Sequence, residues 1–300
     1  LNAYRGDTPF QDTRSLLQSG RVSFVLTIPS GFSKAWVRGE KPSLLLEADA
    51  TDPAAAAMAV AQIKPIVDRT LADIQIGSLD YLKPKPSSIT TLVHNKYNPE
   101  GISQFNIVPG LLGVILTMTM VMITSIAMTR EAERGTMENL LAMPGKPLEV
   151  MIGKITPYVL MGLVQTMIIL LASNMLFHLP FVGSGSTFGL GVGLFILVNL
   201  AIGFTFSTIA KSQMQAMQLT FFFFLPSMLL SGFMFPFQGM PKWAQYLGEI
   251  LPLTHFLRIV RGIMLKGTSL SLLSNEFLAL LAILIIVGII AMLRYRQTLD

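Results

Sequence analysis

The chain has 300 residues, of which 52% are hydrophobic and 13% charged, with a formal net charge of +5. Soluble domains carry about 25% charged residues, so a uniformly water-soluble chain is excluded. The sequence contains no cysteine, which removes a disulfide framework, a thiolate metal site and a cysteine nucleophile.

The shortage of charge is uneven. Residues 1–105 have ordinary soluble composition, whereas 106–293 consist mostly of long apolar runs. A small soluble domain followed by a lipid-embedded domain is expected. The positive charge is read as setting membrane orientation, not as binding nucleic acid.

The first domain reads as mixed α/β. Val22, Phe24, Leu26 and Ile28 alternate with Ser23, Val25 and Thr27 as in a half-buried strand, which Pro29-Ser30-Gly31 ends. Leu44–Glu47 is a second short strand. Asp52-Pro53 is a cap and first-turn pair opening a helix through Ala54–Gln62, and Pro65 is expected to kink or split it. Lys83-Pro84-Lys85-Pro86 is an extended turn, and Ile89–Val93 a last strand. Asp49, Asp52, Asp68 and Asp73 are read as caps and solvated faces, not as a catalytic pair.

Five segments have the ~20 apolar residues that a spanning helix needs. They are Ile107–Met128, Ile152–Phe177, Phe188–Ala210, Met214–Phe235 and Phe277–Leu293. Arg130, Arg134, Lys146, Lys154, Lys211, Arg294 and Arg296 fall on one side, against Lys242, Arg258, Arg261 and Lys266 on the other. The bias favours a cytoplasmic C-terminus. With five spans, residues 1–105 then lie outside the cytoplasm. Their passage across the membrane leads us to expect a further span before Leu1, six in the intact protein. The fold class is thus a membrane α-helical bundle with a small α/β extracytoplasmic domain, divided at 1–105 and 106–300.

The loop at 129–147 carries the densest pattern. Arg130 and Arg134 share a helical face, Gly135 is a break, and Thr136 caps a new turn with Glu138 at its positive end. Met137, Leu140 and Leu141 form an apolar stripe that Pro144-Gly145 stops. An interfacial helix resting on lipid is one reading. A helix seated in a protein groove is the other, and spacing leaves both open.

The stretch resembles the coupling-helix region of type-2 ABC exporter permeases, whose pattern is close to R-E-x-E-R-G-T-x-E-x-L-L-x-x-P. The matching positions are Arg130, Glu131, Glu133, Arg134, Gly135, Thr136, Glu138, Leu140, Leu141 and Pro144. Ser23–Phe32, Tyr97-Asn98-Pro99 with Val108-Pro109-Gly110, and Pro252–Phe256 with Arg261-Gly262 and Lys266-Gly267 are similar to the same family. The resemblance implies that the loop docks on an ABC ATPase (nucleotide-binding) domain or subunit that holds ATP and Mg. It also implies that two permease halves form the translocation path in an inner membrane, with a periplasmic adaptor as a further partner. This chain has no G-x-x-x-x-G-K-[ST] loop with which to cradle phosphates itself, and it is expected not to be an enzyme.

Polar residues inside spans are functional candidates. Gln165, Asn199 and Gln218 are assigned to the translocation path, with interhelical hydrogen bonding as the alternative. Gly185, Gly189 and Gly193, every fourth residue, are expected to let another helix approach. The connection 238–273 is expected to form two short helices dipping into the outer leaflet, with Glu249, Arg258 and Arg261 as an outer gate. A membrane scaffold holding an extracytoplasmic partner is the competing function. An intramembrane enzyme is weakest, because no span carries paired carboxylates or histidines.

Overall fold

A computed structural model describes residues 10–38, 40, 42–75, 90–134 and 147–297. The chain separates into two compact units, Leu1–Asn106 and Ile107–Asp300.

In the first unit, helices α1 (Phe10–Gln18) and α2 (Phe32–Val37) accompany a three-stranded sheet, β1 (Phe24–Thr27), β2 (Ser43–Asp49) and β3 (Thr90–Lys96), in that spatial order. β1 runs antiparallel to β2, with Phe24 opposite Ala48. β3 runs parallel to β2, with Ser43 opposite Thr90. A parallel pair needs a crossover, and helix α3 (Pro53–Gln75) lies in that connection. Period-two burial places Leu44, Leu46 and Ala48 inward, and Ala48 packs with Ala50, Ala56 and Val60. Buried Glu47 is neutralised by Lys96 Nζ at 2.7 Å.

The aspartates that can be placed are caps. Asp49 Oδ1 accepts from the Thr51 amide and hydroxyl, and Asp52 Oδ1 accepts from the amides of Ala54 and Ala55. Of the two outcomes expected at Pro65, the split does not occur: α3 runs through it as one helix. Pro65 is exposed, so water can donate to the carbonyl deprived of its amide partner. The expected turn Lys83–Pro86 lies outside the described residues. Beyond β3, buried Asn98 closes a ring, donating to the Ile102 carbonyl and accepting from its amide, both at 2.9 Å. This ring sets the start of helix α4 (Ser103–Glu133).

The second unit continues with α5 (Pro147–Phe177), α6 (Gly185–Ile209), α7 (Gln213–Leu230), α8 (Lys242–Ile250), α9 (Pro252–Lys266) and α10 (Ser274–Gln297). Among the described residues, four helices are long and apolar enough to cross a membrane: Ser103–Glu133, Ile155–Phe177, Gly185–Ile209 and Ser274–Arg294. They coincide with four of the five expected spans. The fifth expected segment is α7. It is only 18 residues long, carries Gln213, Gln215 and Gln218 in its first six, and ends at Leu230 before Gly232 takes φ +85°.

α6 is the centre of this unit. Phe195, Ile196, Val198 and Leu200 are fully covered, and Phe195 stacks on Phe256 of α9 at 3.9 Å between centroids. α5 and α10 are peripheral, with Leu160, Val164, Met167 and Ile168, and Ile285, Ile286 and Ile289, left as apolar surface suited to lipid. Lipid supplies no hydrophobic drive between helices, so close packing must hold them. It does so at glycines other than those expected. A Cβ at Gly203 would lie 2.7 Å from the Val121 carbonyl of α4, and one at Gly191 would lie 2.9 Å from Ile259. At Gly185, Gly189 and Gly193 a Cβ would meet nothing within 4 Å. Among the described residues, no helix of this chain approaches the face that carries the four-residue repeat.

Candidate functional site

Two polar assemblies stand out in the second unit, at the end of α4 and around α8–α9.

α4 ends at Glu133, with Arg134 in the following turn. Arg130, Glu133 and Arg134 are exposed, and Glu131 is half-buried. The Glu133 carboxylate does not project alone. Its Oε1 accepts from the Gln213 amide at 2.9 Å, and its Oε2 accepts from Gln213 Nε2 at 2.6 Å. Gln213 opens α7, so a carboxylate from one helix caps the positive end of another. Gly135, Thr136, Glu138, Leu140, Leu141 and Pro144 lie outside the described residues.

The second assembly joins α8, α9 and the start of α10. Arg258 reaches Glu249 with Nη1 at 3.1 Å and Nη2 at 2.5 Å, and Glu276 with Nη1 at 3.3 Å. Its guanidinium also lies 4.7 Å above the Phe237 ring. His255 places Nδ1 2.6 Å from Glu276 Oε2 and Nε2 2.9 Å from the Glu249 carbonyl. Both ring nitrogens therefore face acceptors, which only the doubly protonated ring can serve together. Burial works against that charge. The hydrogen bonds to Glu276 and to the Glu249 carbonyl, with the charge of Glu276, outweigh it and push His255 above its ordinary pKa.

Of the expected gate residues, Glu249 and Arg258 meet, whereas Arg261 turns to the Gly232 carbonyl at 3.1 Å, beyond the end of α7. Sequence reasoning missed His255 and Glu276, because the three histidines are isolated in the chain. The available signal was local: His255 and Arg258 lie one helical turn apart, and Glu276 is the one acid in the first turn of α10. Gln213 carried no signal of its own.

The three span residues assigned to a translocation path are placed differently from one another. Gln165 Oε1 lies 2.9 Å from Thr119 Oγ1 and joins α5 to α4. Asn199 is fully buried and donates to the Phe195 carbonyl at 2.8 Å, with its own Oδ1 left without a hydrogen-bond partner among the described residues. Gln218 is exposed on α7. Among the described residues no group of acidic, histidine or cysteine side chains could hold a metal ion.

A family model described as "ABC-2 family transporter protein" matches residues 8–293. The chain belongs to this family. It is 30% identical over 287 residues to the "Probable multidrug ABC transporter permease YbhR" of Escherichia coli (strain K12), covering 96% of this chain and 77% of that protein. It is 31% identical over 291 residues to the "Inner membrane transport permease YhhJ" of the same organism, covering 94% and 75%. The match to "ABC transporter G family member 20" of Dictyostelium discoideum is 27% over 215 residues, 70% of this chain and 29% of that one. No solved structure matches. This ABC-2 chain is thus the membrane permease part of an ABC transporter, a multi-pass membrane protein whose family implies an ATPase partner subunit.

Proposed function

We propose that this permease works as one of two halves of an exporter, moving a hydrophobic or amphipathic compound outward. ATP and Mg are held by the partner ATPase, and the loop after α4 receives its stroke. Residues 1–105 lie on the outer side and the C-terminus in the cytoplasm. Glu249 and Arg258, with His255 and Glu276, guard the outer exit. Gln165, Asn199 and Gln218 are the polar positions offered to a path. The observation that carries the reading is the match over residues 8–293 together with the charged motif that closes α4. The mostly neutral spans and the word "multidrug" in one relative's name favour an apolar cargo.

The test is ATP hydrolysis by the ATPase subunit purified with this chain. Arg134→Ala and Glu138→Ala are expected to reduce permease-stimulated hydrolysis to the rate of the ATPase alone. Stimulation that survives both substitutions would favour a scaffold.

A further inference from the structure

The loop after α4 is covalently continuous with α4 and α5. α7 begins 80 residues after Glu133 and is not joined to that loop by the chain. It is nevertheless tied to it. Both oxygens of the Glu133 carboxylate are taken by one residue, Gln213, through its amide and its side chain. Two bonds from a single residue fix the direction of a helix start as well as its distance. The rest of the first turn is closed locally: Ser212 Oγ accepts from the Gln215 amide, and Gln215 Oε1 accepts from the Lys211 amide. Of the described bonds to this turn, those from Glu133 are the ones that come from another helix.

The far end of α7 is held just as specifically. A Cβ at Gly248 of α8 would lie 2.6 Å from the Leu230 carbonyl, so the two backbones abut. Arg261 of α9 holds the Gly232 carbonyl. A Cβ at Gly110, near the other end of α4, would run into the Phe233 ring. α7 is therefore a strut, capped by the end of α4 on one side and seated against α8–α9 on the other.

We propose that Glu133 is a positioning residue that carries displacement of the loop into α7, and through it to the α8–α9 assembly. This rests on the reading above, that an ATPase drives the loop. It gives the second acid of the R-E-x-E-R motif a task different from that of its neighbours. Arg130 and Arg134 stay exposed toward a partner, while Glu133 faces its own chain. A cap with no transmitting role would stabilise α7 and do nothing more.

The absence of cysteine makes the test clean. The full chain in nanodiscs, with its ATPase subunit, receives nitroxides at Ala132→Cys and Met214→Cys, both exposed positions. A second sample carries Tyr246→Cys on exposed α8, and its maleimide labelling rate is read with and without ATP-vanadate trapping. Trapped nucleotide is quantified in each sample. Dipolar coupling between the nitroxides is expected to persist through trapping and to be lost with Glu133→Ala. The trapping-induced, several-fold change at position 246, per nucleotide trapped, is expected to vanish with it. Glu133→Cys with Gln213→Cys, bridged by a short bis-thiosulfonate, is expected to restore the response, which a purely stabilising cap would not predict. If Glu133→Ala fails to reach the membrane, Glu133→Gln, which keeps one acceptor, is expected to give an intermediate loss. An undiminished response in the alanine variant, or no recovery on bridging, would overturn the proposal. Should the parent show no nucleotide response at all, the ATP-driven reading fails instead. Nitroxide coupling in the chain alone then decides the tie, and its persistence with Glu133→Ala overturns it.

Discussion

The two polar assemblies of the membrane unit are built in opposite ways. At the end of α4, an exposed carboxylate takes two hydrogen bonds from one residue of another helix. Around α8–α9, four ionisable residues from three helices share each other's partners, and the His255 side chain is only 7% exposed. Water can replace the first contact at little cost, so it adds little to stability while still setting where α7 begins. The second cannot lose a member without stranding a charge in a poorly solvated place. The first is suited to a joint and the second to a fastening.

The largest expected effect separates them directly. Glu276→Ala leaves both His255 and Arg258 without their shared acceptor. Breaking such a partly buried arrangement costs about 3 kcal/mol, read as a lowered thermal unfolding midpoint in detergent. Glu133→Ala is expected to move the same midpoint far less, because its carboxylate is solvated. Equal losses from the two substitutions would remove the distinction.

A smaller effect sharpens it. His255 is raised in the folded protein, so its contribution to stability is complete below its unfolded pKa of about 6.5 and fades as pH rises through the higher folded value. Parent and His255→Gln are expected to differ most in midpoint below the ordinary imidazole pKa of about 6.5 and to converge as pH rises through the higher folded value. A gap that widens with pH would mean that the neutral ring is the one the fold selects.

How much of this was legible follows from the range of the forces involved. Spans are written in local composition, so four of five were placed from hydropathy alone. The first strand of the first unit follows from alternation, and Asp52-Pro53 announced the start of α3. Pro65 does not split α3, because an exposed turn can keep its orphan carbonyl wet. The glycine repeat names a face without naming its neighbour. Gly203 is no more conspicuous in sequence than Gly189, yet one touches the α4 backbone and the other touches nothing. The Glu133–Gln213 and His255–Glu276 pairs join distant segments, and neither member of either pair predicts the other by spacing. The charged motif after α4 was readable only through family likeness, and its second half lies outside the described residues.

The smallest effect concerns a contact that is neither joint nor fastening. Thr119 and Gln165 join α4 to α5 without any charge. The Thr119 hydroxyl also lies 2.7 Å from the Ile115 carbonyl, and it has only one proton to give. Both bonds are made if the Gln165 amide turns its Nε2 toward the hydroxyl while the proton goes to Ile115. Interhelical bonds of this kind within membranes average about 0.6 kcal/mol, because the separated helices find other partners. A double-mutant cycle with Thr119→Val and Gln165→Leu is expected to return a coupling of about that size, independent of pH. A coupling several times larger would place Gln165 with the α8–α9 network as a fastening. A near-zero coupling with a large loss of transport would instead return Gln165 to the path along which the cargo moves.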